Sequence, residues 1–311
     1  MTFELTILGS SSAVPTSTRS LTAHVLNAHE RFFLIDCGEG TQIQIRKNKI
    51  RFGKINHIFI SHLHGDHIFG LFGLISTFSL LNRQTNLHIY AHKELEPILE
   101  NHIAYFERKL PFTIVYHHLN PKKNEIIYED KKITVETIPL KHRIPTCGFL
   151  FKEKPHLRNL RKNVVQQYEI PIRERQNIKA GADFELSEKQ IIPNAELTLP
   201  PYKQRSYAYC TDTSYSEKII SIIQNVDLLF HEATFTEQLK SQARKTFHST
   251  AKQAATIAQK ANARKLIIGH FSARYKDITP LVEEARKVFN PVFSAEDGEK
   301  YVIEPQRLTE G

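Results

Sequence analysis

The stretch that decides the fold is His62-Leu63-His64-Gly65-Asp66-His67. It follows His57-Ile58-Phe59-Ile60-Ser61, a short β-branched and aromatic run that reads as a buried strand. Four imidazole or carboxylate side chains within six residues are no packing solution for a core, whereas histidine nitrogen and carboxylate oxygen are ordinary ligands of catalytic zinc. Imidazoles two apart at a strand end can converge on one ion. The Asp66-His67 pair, opening the next helix, can face a second, and Gly65 permits the tight backbone between them. Beyond it, Ile68, Leu71, Phe72, Ile75 and Ser79 recur at helical spacing and predict a buried helix.

Working outward, polar residues close one apolar segment after another. Phe3, Leu5 and Ile7 alternate before Gly9 breaks the strand, and Arg31 to Asp36 is β-like before Cys37-Gly38-Glu39-Gly40, with helix from Thr41. Ile133 to Leu140 is a strand running to His142, Tyr207 to Cys210 one running to Asp212, Asp227 to Phe230 one running to His231, and Lys265 to Ile268 one running to His270. Glu217 to Gln224 reads as helix, and Thr250 with Gln253 forms a capping box for an Ala-rich helix to about Ala263. Ligands gather where strands end along one sheet edge. Collected there, His62, His64, Asp66, His67, His142, Asp212 and His270 give seven candidate ligands for two metals with room for water.

The chain has 311 residues, 41% hydrophobic and 24% charged, which excludes global disorder and a fibrous protein. Cys37, Cys147 and Cys210 are too far apart for a disulfide scaffold or a thiolate zinc finger and suit a reducing cytosol. No leader is visible at the start, and the apolar run Ile68–Leu81 is too short to cross a bilayer, so a soluble cytoplasmic protein is expected. The net charge of +9 favours a polyanionic partner. From Lys152 to Lys179, eight Lys or Arg face three Glu, a surplus of five in a segment without convincing buried strands. It reads as a basic insertion at about 152–200.

The histidine motif after a buried strand resembles the signature of the metallo-β-lactamase fold. Within that superfamily the chain looks like ribonuclease Z, the endonuclease that removes the 3′ trailer of precursor tRNA. The resemblance runs nearly end to end: Leu8-Gly9-Ser10 to Val14-Pro15, Asp36-Cys37-Gly38-Glu39-Gly40-Thr41, Tyr209-Cys210-Thr211-Asp212-Thr213, His231-Glu232-Ala233-Thr234-Phe235, Phe247-His248-Ser249-Thr250, and Gly269-His270-Phe271-Ser272-Ala273-Arg274-Tyr275. It implies a single αββα sandwich over residues 1–311 carrying a tRNA-binding arm, two zinc ions per subunit (manganese a possible substitute), and a homodimer with a contact near Ile68–Leu81. His62, His64 and His142 would hold one zinc and Asp66, His67 and His270 the other, with Asp212 between them. Attack by a metal-held hydroxide would leave a 3′-hydroxyl on the tRNA and a 5′-phosphate on the trailer.

Asp66 is then the proton acceptor for the attacking water, and His248 the general acid for the leaving 3′ oxygen, with Glu232 its orienting partner. Ser272 and Arg274 are expected beside phosphate, and Arg158, Arg161 and Lys162 on the arm to bind RNA backbone. Asp36 and Glu39 are expected to order the turn near the metal histidines, and Tyr275 to pack rather than stack on a base. The arm departs from the bacterial pattern: Ile170-Pro171-Ile172-Arg173 stands where a Gly-Pro motif is usual. Two other functions compete. A thioesterase, lactonase or arylsulfatase on the same fold would need neither the basic arm nor His248. A metal-stabilised RNA-binding protein without catalysis would not need a full ligand set.

Overall fold

The chain is described here from a computed structural model covering residues 2–106, 109–187 and 190–309. Alternation along the strands builds it. In the strand Phe3–Gly9, Phe3, Leu5 and Ile7 face one way and Leu8 the other. The pattern repeats in Arg31–Ile35 (Phe33 and Ile35 against Leu34) and in Ser206–Cys210 (Tyr207 and Tyr209 against Ala208 and Cys210). Strands apolar on both faces must be covered on both. The result is two seven-stranded sheets.

One sheet runs, in spatial order, Lys300–Val302, Phe3–Gly9, Ala23–Ala28, Arg31–Ile35, Ile55–Phe59, Leu87–Ala91, Ile114–His118. The other runs Val292–Ser294, Leu266–Gly269, Leu228–Glu232, Ser206–Cys210, Cys147–Glu153, Ile133–Pro139, Ile126–Glu129. Their inner faces meet through Phe33, Phe59, Phe149, Phe151, Tyr207, Tyr209 and Phe230. Helices Thr41–Lys47, Gly65–Leu80 and Leu95–Phe106 contribute to the core on the outer face of the first sheet, and Ala251–Lys260 and Thr279–Arg286 to that of the second. This is the αββα layering expected, a metallo-β-lactamase fold.

The Ala-rich helix opens on the expected box: Gln253 N donates to Thr250 Oγ1 at 3.2 Å, and Thr250 N to Gln253 Oε1 at 3.0 Å. The expected helix over Glu217–Gln224 is corrected to a single 3-10 turn, Glu217–Ile219, followed by turns. Ile219, Ile223 and Val226 are buried at helical spacing, but Asn225 turns to φ 59 and leads into the next strand. So short a segment fixes its apolar residues by tertiary packing without propagating an α-helix.

Gly65 also differs from expectation. Positive φ occurs among the described glycines only at Gly40, Gly181 and Gly298, so Gly65 supplies no left-handed turn. A Cβ there would lie 2.3 Å from the ring of exposed Phe69, which would have to turn aside. The close approach lies elsewhere: a Cβ on Gly70 would sit 2.1 Å from Gly38 O. That contact seats the helix Gly65–Leu80 on the Cys37–Gly38 turn, where Gly70 N donates to Cys37 O at 2.9 Å.

The chain divides into two compact units, Met1–Lys152 with Ser206–Ile303, and Glu153–Arg205 with Glu304–Gly311. The second contains the basic segment and has its own small core of Val164, Ile170, Ile178, Phe184, Ile192 and Leu197. Arg205 pairs with buried Glu153 at 2.7 Å, and the C-terminal segment adds a pairing that the sequence did not announce, with Lys203 N donating to Gln306 O at 2.7 Å. Pro171 stands just before the helix Ile172–Lys179, a position where a missing N–H costs nothing. Among the described residues no helix is long and apolar enough to cross a membrane.

Candidate metal centre and proton-transfer site

Seven side chains from four stretches of chain meet at one edge of the sandwich. His62 and His64 follow the strand Ile55–Phe59, and Asp66 and His67 lie in the first turn of the helix Gly65–Leu80. His142 follows Ile133–Pro139, Asp212 follows Ser206–Cys210, and His270 follows Leu266–Gly269. Ligand atoms of His62, His64, His142 and Asp212 lie within 4.8 Å of one another, as do those of Asp66, His67 and His270. The sequence-expected ligands are therefore all brought together.

Asp212 stands between the two groups and divides its oxygens. Oδ2 lies 3.5 Å from His62 Nε2 and 3.7 Å from His142 Nε2, while Oδ1 lies 3.3 Å from His67 Nε2 and 3.1 Å from His270 Nε2. Asp66 Oδ2 is 3.5 Å from His67 Nε2 and 3.6 Å from His270 Nε2.

Hydrogen bonds on the outer side fix which nitrogen faces inward. His67 Nδ1 donates to Asp36 Oδ2 at 2.8 Å, and His142 Nδ1 to Phe247 O at 3.0 Å. Ser61 Oγ donates to Asp36 Oδ2 and so accepts from His62 Nδ1 at 3.0 Å. Thr234 Oγ1 donates to Glu232 Oε2 and so accepts from His270 Nδ1 at 3.1 Å. Each of these four imidazoles then turns an Nε2 lone pair inward. His64 differs, presenting Nδ1 inward while its Nε2 accepts from Arg143 Nε at 3.2 Å, so its inward lone pair is the least prepared of the five.

A cation fits this arrangement. Nε2 of His67 and of His270 is buried without a hydrogen-bond partner, and both face carboxylate oxygens. A lone pair against a carboxylate is unfavourable unless positive charge lies between them. Burial works to depress the His67 pKa, yet Asp212, Asp66 and Asp36 raise it well above the usual histidine value, so their field draws positive charge to that point. Burial also opposes ionisation of Asp66, but His67 and His270 hold its carboxyl well below the usual carboxylate range. His64 and His142 are pushed down by burial to about 4 and are neutral ligands at pH 7. A nitrogen and oxygen donor set of this kind suits zinc and accepts manganese.

Beside the cluster stands a sixth imidazole, His248. His248 Nδ1 donates to Glu232 Oε1 at 2.9 Å, and Glu232 is wholly buried. Both glutamate oxygens are otherwise satisfied, by Thr213 N at 2.8 Å and Thr234 Oγ1 at 2.6 Å. Burial alone would lower the His248 pKa, but Glu232 outweighs it and raises it to about 9. A ligand atom of His248 lies within 4.8 Å of those of Asp212 and His270.

Some participants escaped sequence reasoning. Tyr209 OH, from the opposite sheet, donates to Asp36 Oδ2 at 2.6 Å, and Ala13 N donates to Asp66 Oδ2 at 2.8 Å. Ala13, Asp36, Asp212, Phe247 and His270 all adopt positive φ between 46° and 60°. Left-handed backbone costs an L residue about 1–2 kcal/mol and clusters at functional sites. No local signal betrays it in non-glycine residues.

Other expected residues lie apart from the cluster or serve the fold. Asp36 orders the histidines as described, whereas Glu39 is exposed and shows no such bond among the described residues. Arg274 Nε donates to Ser272 Oγ at 3.0 Å, and its guanidinium lies 5.0 Å from the Phe235 ring centroid. Tyr275 OH accepts from Thr236 N at 3.1 Å, a packing role. In the arm, Arg158 Nε donates to Thr198 Oγ1 at 2.6 Å and Arg161 Nε to Thr198 O at 3.1 Å, while Lys162 is exposed.

Comparison with known proteins adds the lineage. Residues 3–159 match the family model for the anti-Pycsar protein Apyc1, and residues 158–271 a beta-lactamase superfamily domain. The chain is 50% identical over 302 residues to a ribonuclease Z of Phocaeicola vulgatus, covering 97% of this chain and 98% of that one. It is 48% identical over 296 residues to a ribonuclease Z of Bacteroides fragilis, covering 95% and 97%. Human tRNase Z, short form, superposes with a TM-score of 0.69 at 27% identity, covering 96% of this chain and 98% of that structure.

Proposed function

The chain belongs to the ribonuclease Z family, and from that premise we propose that it is a binuclear metal-dependent endoribonuclease that removes the 3′ trailer of precursor tRNA in the cytoplasm. His62, His64 and His142 would hold one zinc ion, Asp66, His67 and His270 the other, and Asp212 both. Such ions, when bound, supply Lewis-acid stabilisation of phosphorane charge and make water more acidic.

The protein's own groups supply the proton movements. Asp66, kept ionised, accepts the proton of the attacking water, and the Ala13 amide holds its Oδ2 in place. His248, protonated near neutral pH, delivers a proton from Nε2 to the leaving 3′ oxygen. Glu232 holds His248 by Nδ1 so that Nε2 is free for the transfer. The products are a tRNA 3′-hydroxyl and a trailer 5′-phosphate.

The observation that carries this reading is an imidazole, His248, held through Nδ1 by a buried carboxylate and set against a cation-binding cluster. An alkoxide is a poor leaving group and needs both, whereas a thiolate leaving a thioester needs no such acid. Exposed Lys162 and Arg173 of the basic segment serve the RNA backbone, together with Arg158 and Arg161, which also bond to Thr198. Ser272 and Arg274 flank phosphate near His270. Exposed Phe69 and Leu80 on the helix Gly65–Leu80, Leu81 just after it, and Ile98, Tyr105 and Phe106 on Leu95–Phe106 form the face toward a second copy in a homodimer.

The test is cleavage of an end-labelled precursor tRNA by zinc-loaded protein beside an Asp66→Ala control. One cut next to the discriminator nucleotide, absent in the control, supports the reading. Turnover of a small thioester or phosphodiester without any tRNA cut removes it.

A further inference from the structure

A cavity of about 350 Å3 opens beside His248, and none of the roles above uses it. His248 forms one wall, and Phe247, Tyr215, Lys141, Lys240 and Arg244 much of the rest. Its charged lining has one sign. Lys240 is engaged with Glu237 at 2.7 Å. Lys141 and Arg244 are exposed, and among the described residues neither side chain has a carboxylate partner.

Phe247 gives the cavity an aromatic face. It ends the helix Lys240–Thr246 with φ 60, a backbone region that a bulky residue rarely adopts. The turn is held on both sides: His248 N donates to Ala243 O at 2.8 Å and Phe247 N to Arg244 O at 3.4 Å, while Phe247 O accepts from His142 Nδ1 at 3.0 Å. The same strained residue therefore sets the direction of His248 and fixes the outer nitrogen of His142. Its ring, instead of entering the core, stays 36% exposed beside a lining whose charged side chains are all cationic. An exposed aromatic flanked by uncommitted cations is the pairing that single-stranded nucleic acid requires, a platform for a base and charges for its phosphates.

We propose that this cavity receives the nucleotide on the 5′ side of the cut, whose 3′ oxygen leaves, with Phe247 under its base and Arg244 and Lys141 on the adjoining backbone phosphates. The assignment rests on the tRNA-processing reading above. It follows from the proton path: the atom that His248 protonates belongs to the leaving nucleotide, and the cavity shares the His248 wall. The volume suits one nucleotide and not a duplex. Because every base has a π face, the pocket sets the position of the cut without reading sequence.

The test is single-turnover cleavage of three precursor tRNAs: intact, abasic at the discriminator nucleotide, and abasic at the first trailer nucleotide. The proteins are the wild type, Phe247→Ala, Phe247→Leu and Arg244→Ala, each checked for metal content and folded circular dichroism. Stacking on one base corresponds to about 5- to 150-fold in kcat/KM. Phe247→Ala should lose that much on the intact substrate and little more on the abasic discriminator. Its loss should multiply with that of the abasic trailer nucleotide. Phe247→Leu, which keeps bulk without a ring, should fall between, and Arg244→Ala should raise the half-saturating protein concentration more than it lowers the maximal single-turnover rate. Independent losses at the discriminator, or coupling to the trailer nucleotide instead, would overturn the assignment while leaving the nuclease reading intact. No cleavage of the intact precursor by the wild type would overturn both.

Discussion

His248 Nδ1 lies 2.9 Å from Glu232 Oε1, a carboxylate that is wholly buried and bonded at its other oxygen to Thr234. One interaction therefore fixes the ring orientation, the tautomer and the charge of the proposed acid. Glu232→Gln removes the charge that holds the His248 pKa near 9, so that pKa must fall. Protonated His248 is the active form, present below its pKa and lost above it. The alkaline limb of the rate profile for precursor-tRNA cleavage should therefore move to lower pH in the variant. A limb that stays in place would separate Glu232 from the acid.

General acids contribute about 10²- to 10⁴-fold when the leaving group is poor. His248→Ala should lose activity in that range on precursor tRNA with bound metal unchanged. It should lose far less on a p-nitrophenyl phosphodiester, whose phenolate leaves without a proton. Equal losses on the two substrates would point to a disturbed cluster instead.

Asp212 faces both histidine groups through different oxygens. Asp212→Ala should therefore reduce bound metal below two ions per chain by elemental analysis. Ligands that bind only the folded chain raise its Tm by mass action, so chelation should lower the wild-type Tm and added zinc restore it. The variant should respond weakly to either. Two ions retained at wild-type affinity would show that Asp212 is not shared.

Within the basic segment the cations are unequal. Arg158 and Arg161 also bind Thr198, whereas Lys162 is exposed. Lys162→Glu should weaken tRNA binding and reduce the slope of log K against log salt by about one. Arg161→Glu should, in addition, speed amide exchange in residues 158–199. A salt slope unchanged by Lys162→Glu would place the RNA elsewhere.

His24 is buried, bonded through Nδ1 to Tyr207 OH at 2.8 Å, and burial lowers its pKa from 6.5 to about 3. Below pH 6.5 the unfolded chain takes up a proton that the folded chain refuses, so stability falls between pH 6.5 and 3. His24→Gln, which keeps an acceptor for the tyrosine, should flatten the pH dependence of Tm in that window. An unaltered acid slope would assign it to other groups, such as buried His231.

How much of this was legible beforehand follows from the range over which each feature is encoded. Alternation at Phe33, Leu34 and Ile35, and the Thr250–Gln253 cap, are decided within a few residues by backbone geometry. The sequence by itself therefore located the strands that lead into the site, the chemistry carried at their ends and, through His62 to His67, a place for a metal ion, while strands such as Ala23–Ala28 and Leu87–Ala91 went unread. It misjudged Glu217–Gln224, where helical spacing of buried residues serves a turn, because spacing records burial and not hydrogen bonding. The resemblance had already named Glu232 as the partner of His248; tertiary structure decided that this carboxylate is wholly buried and bonded at its other oxygen to Thr234. It also decided that Tyr209 orders Asp36 across 173 residues of chain, that Ala13 holds Asp66, and that Phe247 turns left-handed to aim His248. Those contacts join segments remote in sequence, and they exist because two sheets closing on a shared aromatic core bring their strand ends to one edge, where the charges must satisfy one another.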